Sequence, residues 1–541
     1  MQFLQKEPLI FVTIILRMSF AKVQSAQVTL LDASIIDVEV DLSGGLHAFS
    51  IVGLPDKAIE EAKDRVSSAI KNTGFKSPKA KNQKTVVSLA PADIRKEGTH
   101  FDLAIALGYL LASKNISFKP DARLFLGELA LNGKMRPITG VLPLVKRAKA
   151  TGFTEIFVPP ENAREAALID GITVYPVQNL TEVIAHLIPK TLEKDIEKNI
   201  PYIEKRSLSA QPKTEVVFSV HESSIDLSDI KGQESAKRGL EIAAAGAHNI
   251  AMYGPPGTGK TMLARAFAAL LPPLSFDEAL EVTAIHSVAG VLKEDLVIAP
   301  PFRSPHHTAS HISIAGGGTI PKPGEITLSH RGVLFLDEFP EFEHRVIEGL
   351  RQPLEDRTIS ITRVKGSASF PAQFILIAAM NPCPCGNYGS RRECICTPQQ
   401  LIKYRRKISG PIVDRIDMWV EVSNVEYKTL AGEGRRGATS TLVREKIAKA
   451  RKKQEERFKK VGLLHKTNSE FSAREIDAHI KLPLELRELL NQSAAKLNLS
   501  GRAYHRVLKL ARTIADLEGS EDITQSHLME ALSYRPKATL G

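Results

Sequence analysis

Cysteine is scarce: the chain has four among 541 residues, and all of them crowd into Cys383–Cys396. A secreted fold stapled by disulfides spreads its cysteines, so that class is excluded. A long apolar run is also missing. Leu9–Leu16 is the one membrane-like stretch; it is too short to span a bilayer, and no small-residue cleavage site follows it. Acidic excess is absent as well. The net charge is +11 and the pI about 9.2, a balance that favours a polyanionic partner such as nucleic acid. What remains is ordinary for a soluble globular protein, with 43% hydrophobic and 25% charged residues. The length suits two or three domains, and the chain reads as cytoplasmic.

Against this plain background one stretch stands out. Gly254-Pro255-Pro256-Gly257-Thr258-Gly259-Lys260-Thr261 fits G-x-x-x-x-G-K-[ST]. Its glycines let successive backbone N–H groups face phosphate oxygens, Lys260 reaches the β- and γ-phosphates, and the Thr261 hydroxyl suits Mg²⁺. The apolar run Asn249–Tyr253 precedes it and the helix-forming Met262–Leu270 follows. Strand, loop and helix N-terminus together are what a phosphate site needs.

Downstream, Gly332–Leu336 is an apolar strand that ends in Asp337 and Glu338. Ligands sit beyond the carboxyl ends of buried parallel strands. Asp337 can hold the hydration shell of Mg²⁺, and Glu338 can orient and deprotonate a water. A second apolar strand, Phe374–Met380, ends in Asn381, which either bonds the attacking water or γ-phosphate or simply caps the strand. ATP and Mg²⁺ are therefore the expected cofactors and hydrolysis the expected chemistry.

The chain divides at composition shifts into five parts: an extension 1–17, a domain 18–195, a polar linker 196–224, an ATPase core 225–425, and a basic helix with a helical lid over 426–541. Residues 1–17 fit either an upstream start or a disordered tail. In the first domain, alternation over Ile36–Val40 predicts a half-exposed strand. Ser43-Gly44-Gly45 turns it, with Ala48–Val52 as its expected partner. Helices are predicted over Asp56–Asn72, Phe101–Ser113 and Leu142–Thr151, the last with Gly152 as its cap. Thr85–Leu89, Leu124–Leu126, Ile156–Val158 and Val174-Tyr175 read as strands.

Several other features carry chemistry with more than one reading. Pro301–Gly324 is punctuated by glycine and proline and reads as a projecting loop. Its His306, His307 and His311 suit either metal ligation or hydrogen bonding within the loop, and His286 reads as structural. Thr358–Phe370 alternates and turns near Gly366, a hairpin with Arg363 and Lys365 at its tip. Two C-x-C pairs, Cys383/Cys385 and Cys394/Cys396, lie across an eight-residue loop. They can close a tetrahedral Cys₄ zinc site, or stay as free thiols or a conditional disulfide. Arg444–Lys460 is a basic, helix-prone segment, either a nucleic-acid contact or a solvated face.

Two resemblances complete the reading. Glu97–Leu103 and Ile138–Leu142 resemble the Lon-protease, ribosomal-S5-like fold. Proteases of that fold place a serine and a lysine where this chain has His100 and Leu142, so the domain is expected to be non-proteolytic. The whole chain from about Met18 resembles the ComM/YifB family of magnesium-chelatase-like AAA+ ATPases. The resemblance rests on Ile51–Ala58, the phosphate loop, Arg303–Thr308, Leu334–Phe339, Asn381–Gly386 and Arg502–Leu517. Asp229–Gln233 looks like the adenine-side segment of such enzymes and Asn381 like their sensor 1. The implied fold class is α/β: an AAA+ core with a helical lid, preceded by an α+β Lon-like domain.

The resemblance also implies a hexameric ring that moves single-stranded or branched DNA, a helicase promoting branch migration in recombination or natural transformation, with no membrane partner. By the same resemblance Arg415 points into the neighbouring subunit's nucleotide; on residues alone it fits equally a surface arginine paired with Asp414 or Asp417. Of Arg502 and Arg506, on one face of a helix, Arg502 is the preferred lid arginine that senses the γ-phosphate.

Overall fold

The computed structural model describes residues 19–80, 82–216, 225–318, 322–363, 366–389, 392–426 and 437–536. The extension 1–17 lies outside the described residues. The chain divides into two compact units, Met1–Glu215 and Val216–Gly541.

The first unit is built on seven strands: β1 (Ser19–Thr29), β2 (Asp32–Gly44), β3 (Ala48–Val52), β4 (Gln83–Ala90), β5 (Arg123–Phe125), β6 (Glu155–Val158) and β7 (Thr173–Pro176). They lie in the order β3-β4-β2-β1-β5-β6-β7. The alternation in β2 works as expected: Ile36, Val38 and Val40 are fully buried, while Asp37 and Glu39 keep contact with water. The expected partner of this strand is corrected. Ala48–Val52 runs parallel to β4 and does not pair with β2. Both edges of β2 are already taken, by β1 and by β4, each antiparallel. Helix α1 (Lys57–Asn72) makes the crossover between β3 and β4. Asp56 caps it by accepting the Ile59 N–H at 2.9 Å, and Ile59, Ala62, Val66, Ala69 and Ile70 are buried along one side.

Helix α2 (Asp102–Ala112) is apolar nearly all round, so it belongs in the core; only Leu111 is partly exposed. Burial contributes about 1.5–3 kcal/mol for each large aliphatic side chain of this kind. The one charge it takes inside, Asp102, receives a two-point ion pair from Arg65 at 2.7 and 3.1 Å. After β7 the polar stretch bonds back onto the same unit. Arg206 donates its N–H to Ala185, Gln211 to Val174 and Thr214 to Ala167.

The second unit centres on a five-stranded parallel sheet: β8 (Ile250–Tyr253), β9 (Phe302–Arg303), β10 (Val333–Leu336), β13 (Ile375–Met380) and β14 (Met418–Glu421), in the order β9-β10-β13-β8-β14. Between β10 and β13 come the short helix α3 (Arg351–Asp356) and the antiparallel hairpin β11 (Thr358–Arg363) and β12 (Gly366–Pro371). The hairpin expected over Thr358–Phe370 is thus present. Lys365 lies outside the described residues, and of the Arg363 side chain nothing is described. The central strands are continuous apolar runs because helices cover both faces, and β10 and β13 are buried at every position.

Helix α4 (Ser440–Lys460) buries Val443, Ile447, Ala450 and Phe458. Some of its cations are held by neighbouring elements, while Lys446, Lys449, Lys452, Lys459 and Lys460 are exposed. Arg444 donates to the Ala269 carbonyl, Arg451 to Ala244, Lys453 to Gly519, and Arg457 pairs with Asp516. Part of the basic segment is therefore fastened within its own unit, and the rest keeps a solvated face. Helix α5 (Gly501–Glu518) packs on the same core through Val507, Leu510, Ala511 and Ile514.

Candidate nucleotide site

The phosphate loop leaves β8 at its carboxyl end. Gly257 and Gly259 have φ of 78° and 89°, left-handed values that glycine adopts freely. Gly254 is needed for space: a Cβ there would stand 2.0 Å from the Val422 carbonyl oxygen. Thr258 closes the turn by donating its hydroxyl to the Pro255 carbonyl at 2.9 Å. Gln233, in the segment Asp229–Gln233, donates to the carbonyls of Thr258 (3.2 Å) and Ser423 (2.6 Å), so it braces the loop from the side.

Lys260 is the first residue of the following helix and is buried. Its ammonium donates to the Gly254 and Pro255 carbonyls at 2.8 and 2.9 Å and to Asn381 Oδ1 at 3.3 Å. Burial holds the Lys260 pKa below the usual lysine value, and nearby Asp337 works in the other direction. Next to it the Thr261 hydroxyl donates to Asp337 Oδ2 at 2.8 Å. Residues from three adjacent strand ends, β8, β10 and β13, thus converge on one spot. Two hard oxygen donors at this separation fit Mg²⁺, and a lysine among backbone N–H groups fits phosphate.

Glu338 follows Asp337 in a left-handed conformation, φ 51° and ψ 42°, and takes its backbone N–H to Asp337 Oδ1 at 2.9 Å. Its carboxylate meets His307 Nδ1 at 3.0 Å. Sequence reasoning missed that contact. Its signal was the place of His306-His307 just past β9, the strand that lies beside β10. His306 bonds Thr308 Oγ1 at 2.9 Å, and its ring lies tilted against that of His307 with centroids 4.2 Å apart. His286 bonds the Leu328 carbonyl at 3.0 Å. Among the described residues these histidines form no metal-binding group; the one such group is the cysteine set.

The four cysteine sulfurs all lie within 4.8 Å of one another. Cys383, Cys385 and Cys394 are separated by 3.4, 3.8 and 3.6 Å. A tetrahedral Zn–S₄ unit with bonds of about 2.3 Å needs sulfurs about 3.8 Å apart, so these residues fit zinc. The Tyr388 N–H points at Cys383 Sγ from 3.3 Å, as backbone donors do around thiolates. This loop touches the phosphate loop: a Cβ on Gly386 would stand 2.6 Å from Pro256 Cδ.

Arg415 and Arg502 are not in this group. Arg415 pairs with Glu355, and neither Asp414 nor Asp417 is its partner. Arg502 reaches the other oxygen of the same carboxylate at 3.0 Å. Arg506 binds the buried Asp417 and the Arg415 carbonyl. Asp417 lies at the amino end of β14 and accepts the Asn249 N–H just before β8, at 2.9 Å. The phosphate loop begins at the opposite end of β8, four residues or about 13 Å away. A cavity of about 820 Å³ lies at this amino end, lined by Glu355, Asp417, Arg502, Arg506 and Lys509 and by no residue of the phosphate loop. The sheet thus stands between Arg502 and the phosphate loop of its own subunit.

In the first unit, His100 is half-buried with its Nε2 enclosed and lacking a partner, and desolvation of the ring pushes its pKa down to about 4. Leu142 is buried at a helix start, where its N–H meets Glu165.

Comparison with known proteins finds family matches over most of the chain. Residues 226–430 match the family described as magnesium chelatase, subunit ChlI; residues 38–162 match subunit ChlI of Mg-chelatase; and 437–535 match the ChlI C-terminal family. Competence protein ComM of Haemophilus influenzae is 43% identical over 529 residues, 97% of this chain and 99% of that protein. The Escherichia coli protein YifB is 41% identical over 521 residues, covering 96% and 97%. Lon protease 2 of Bacillus subtilis is 29% identical over 178 residues, 30% of this chain and 32% of its own length.

Proposed function

Since the chain belongs to the ComM/YifB family of magnesium-chelatase-like AAA+ ATPases, we propose that it is an ATP-driven DNA motor, a cytoplasmic hexameric ring promoting branch migration in recombination or natural transformation. The observation that carries the ATPase part is the convergence of Lys260, Thr261, Asp337 and Asn381 at adjacent strand ends. Bound Mg–ATP supplies the phosphoryl group. Backbone N–H groups from Gly257 to Thr261 and the Lys260 ammonium would hold its charge, and Thr261 and Asp337 would supply oxygen ligands to the metal. Asn381 orients the attacking water and Glu338 takes its proton. Arg415 and Arg502 serve the next subunit, because their place at the amino end of the sheet puts them out of reach of their own phosphate loop. The cysteine set holds a structural zinc that braces the phosphate loop through Gly386. The first unit, with a histidine and a leucine in the two protease positions, has no activated nucleophile and serves assembly or DNA contact.

Support for a DNA track comes from the net charge of +11, from the basic hairpin sequence around Arg363 and Lys365, and from a relative named for competence. The test is a branch-migration assay on purified protein with and without ATP, run beside ATPase assays with and without branched and single-stranded DNA. ATP-dependent migration and a DNA-stimulated rate are expected. An ATPase rate that DNA leaves unchanged, with no migration, refutes the DNA reading and leaves a motor acting on a protein partner, as a chelatase subunit would.

A further inference from the structure

Helix α3 stands between two things the proposed function needs. Its Gln352 holds strand β11 at two points: the amide donates to Ser360 Oγ at 3.1 Å, and its oxygen accepts the Ser360 N–H at 3.1 Å. Just past the helix, the Arg357 carbonyl accepts the Ala372 N–H at 2.7 Å, which ties in the end of β12 as well. Three residues after Gln352, on the same side of the helix, comes Glu355. Its two oxygens divide between Arg415 and Arg502. Arg415 also donates to the Pro411 carbonyl at 2.9 Å, while its Nε has no partner. Two guanidinium groups brought this close repel each other unless a carboxylate lies between them.

We propose that α3 is the coupling lever of the motor: Gln352 senses the position of the hairpin, and Glu355 sets the position of the arginine pair that serves the neighbouring subunit's nucleotide. This rests on the reading of Arg415 and Arg502 as residues acting across the subunit interface. The helix has six residues, too short to bend, so a shift of β11 carries Glu355 with it. The arginines follow, and strand contact in one subunit changes hydrolysis in the next. Glu355 and Gln352 are positioning residues; neither touches the reacting atoms.

The experiment uses the full-length protein with a single-stranded oligonucleotide as the probe. Glu355→Gln keeps the side-chain shape but presents an amide donor to one guanidinium. Its ATPase rate should fall roughly tenfold, the size of one lost charge-assisted contact, with ATP affinity unchanged. Mixing it with Lys260→Ala subunits, whose arginines are intact, should restore activity; a folding defect would not be rescued. Gln352→Ala should keep the basal rate and DNA affinity but lose DNA stimulation, and Gln352→Met, which keeps the volume, should do the same. Wild-type stimulation in both Gln352 variants overturns the lever. So does a wild-type rate in Glu355→Gln while Arg415→Ala is inactive. If Arg415→Ala itself hydrolyses ATP at the wild-type rate, the trans reading falls first and takes the lever with it.

Discussion

Replacing Glu338 with glutamine should separate ATP binding from hydrolysis. The groups expected to hold ATP are Lys260, Thr261 and Asp337, and their contacts do not include the Glu338 side chain. Affinity for ATP should therefore stay within about twofold, a few tenths of a kcal/mol. A positioned general base contributes about 10²–10⁴ in rate, so hydrolysis should fall by that factor, about 3–5 kcal/mol of barrier. His307 gives the prediction a second arm. Its contact with Glu338 spans 3.0 Å, but the Glu338 side chain is 55% exposed, so solvent screening discounts the pair to about 1 kcal/mol. His307→Ala should cost about fivefold in an otherwise wild-type chain, and nothing further once Glu338 is glutamine. Equilibrium binding of a fluorescent ATP analogue and single-turnover hydrolysis read the two effects apart. Wild-type turnover by Glu338→Gln refutes the assignment of the base. A His307 effect of equal size in both backgrounds refutes the positioning role.

Three further outcomes are expected. Lys260→Ala should lose both ATP binding and turnover; retained affinity in a filter or fluorescence assay would show that the loop is not the phosphate site. Protein purified without added metal should carry one zinc per chain by elemental analysis; substoichiometric zinc with four freely titratable thiols would sink the Cys₄ site. Asp417→Asn should destabilise the second unit by about 1–3 kcal/mol, because the buried carboxylate that Arg506 and the Asn249 N–H bond to loses its charge. Calorimetry reads this as a lowered transition for that unit, and an unshifted transition would refute it.

What was legible in the sequence was local. The phosphate loop, the strand ending in Asp337-Glu338, Asn381 and the cysteines are each contiguous signals, since a single strand–loop–helix or a fourteen-residue stretch contains the whole pattern. The hairpin over β11 and β12 was legible for the same reason: alternation and a glycine turn lie side by side. What escaped was non-local. Ala48–Val52 has the pattern of a strand, but nothing in its own residues says that β2 has no free edge. Arg502 and Glu355 are 147 residues apart, and no periodicity connects them. The helix face correctly grouped Arg502 with Arg506, yet which end of the sheet that face meets depends on how the lid docks.

The placement of the two arginines has a consequence for counting. The phosphate loop lies at the carboxyl end of the sheet and the arginine pair at its amino end, so in the proposed ring each copy offers two unlike half-sites. Copies that complete each other's sites must join head to tail, through a heterologous interface. A dimer then completes one site with its two copies, and any open row leaves one loop without arginines and one arginine pair without a loop. Closure alone brings every site into use. Specific activity should therefore climb with protein concentration as short rows lengthen, and rise once more when the row shuts on itself, which makes turnover per subunit a gauge of assembly.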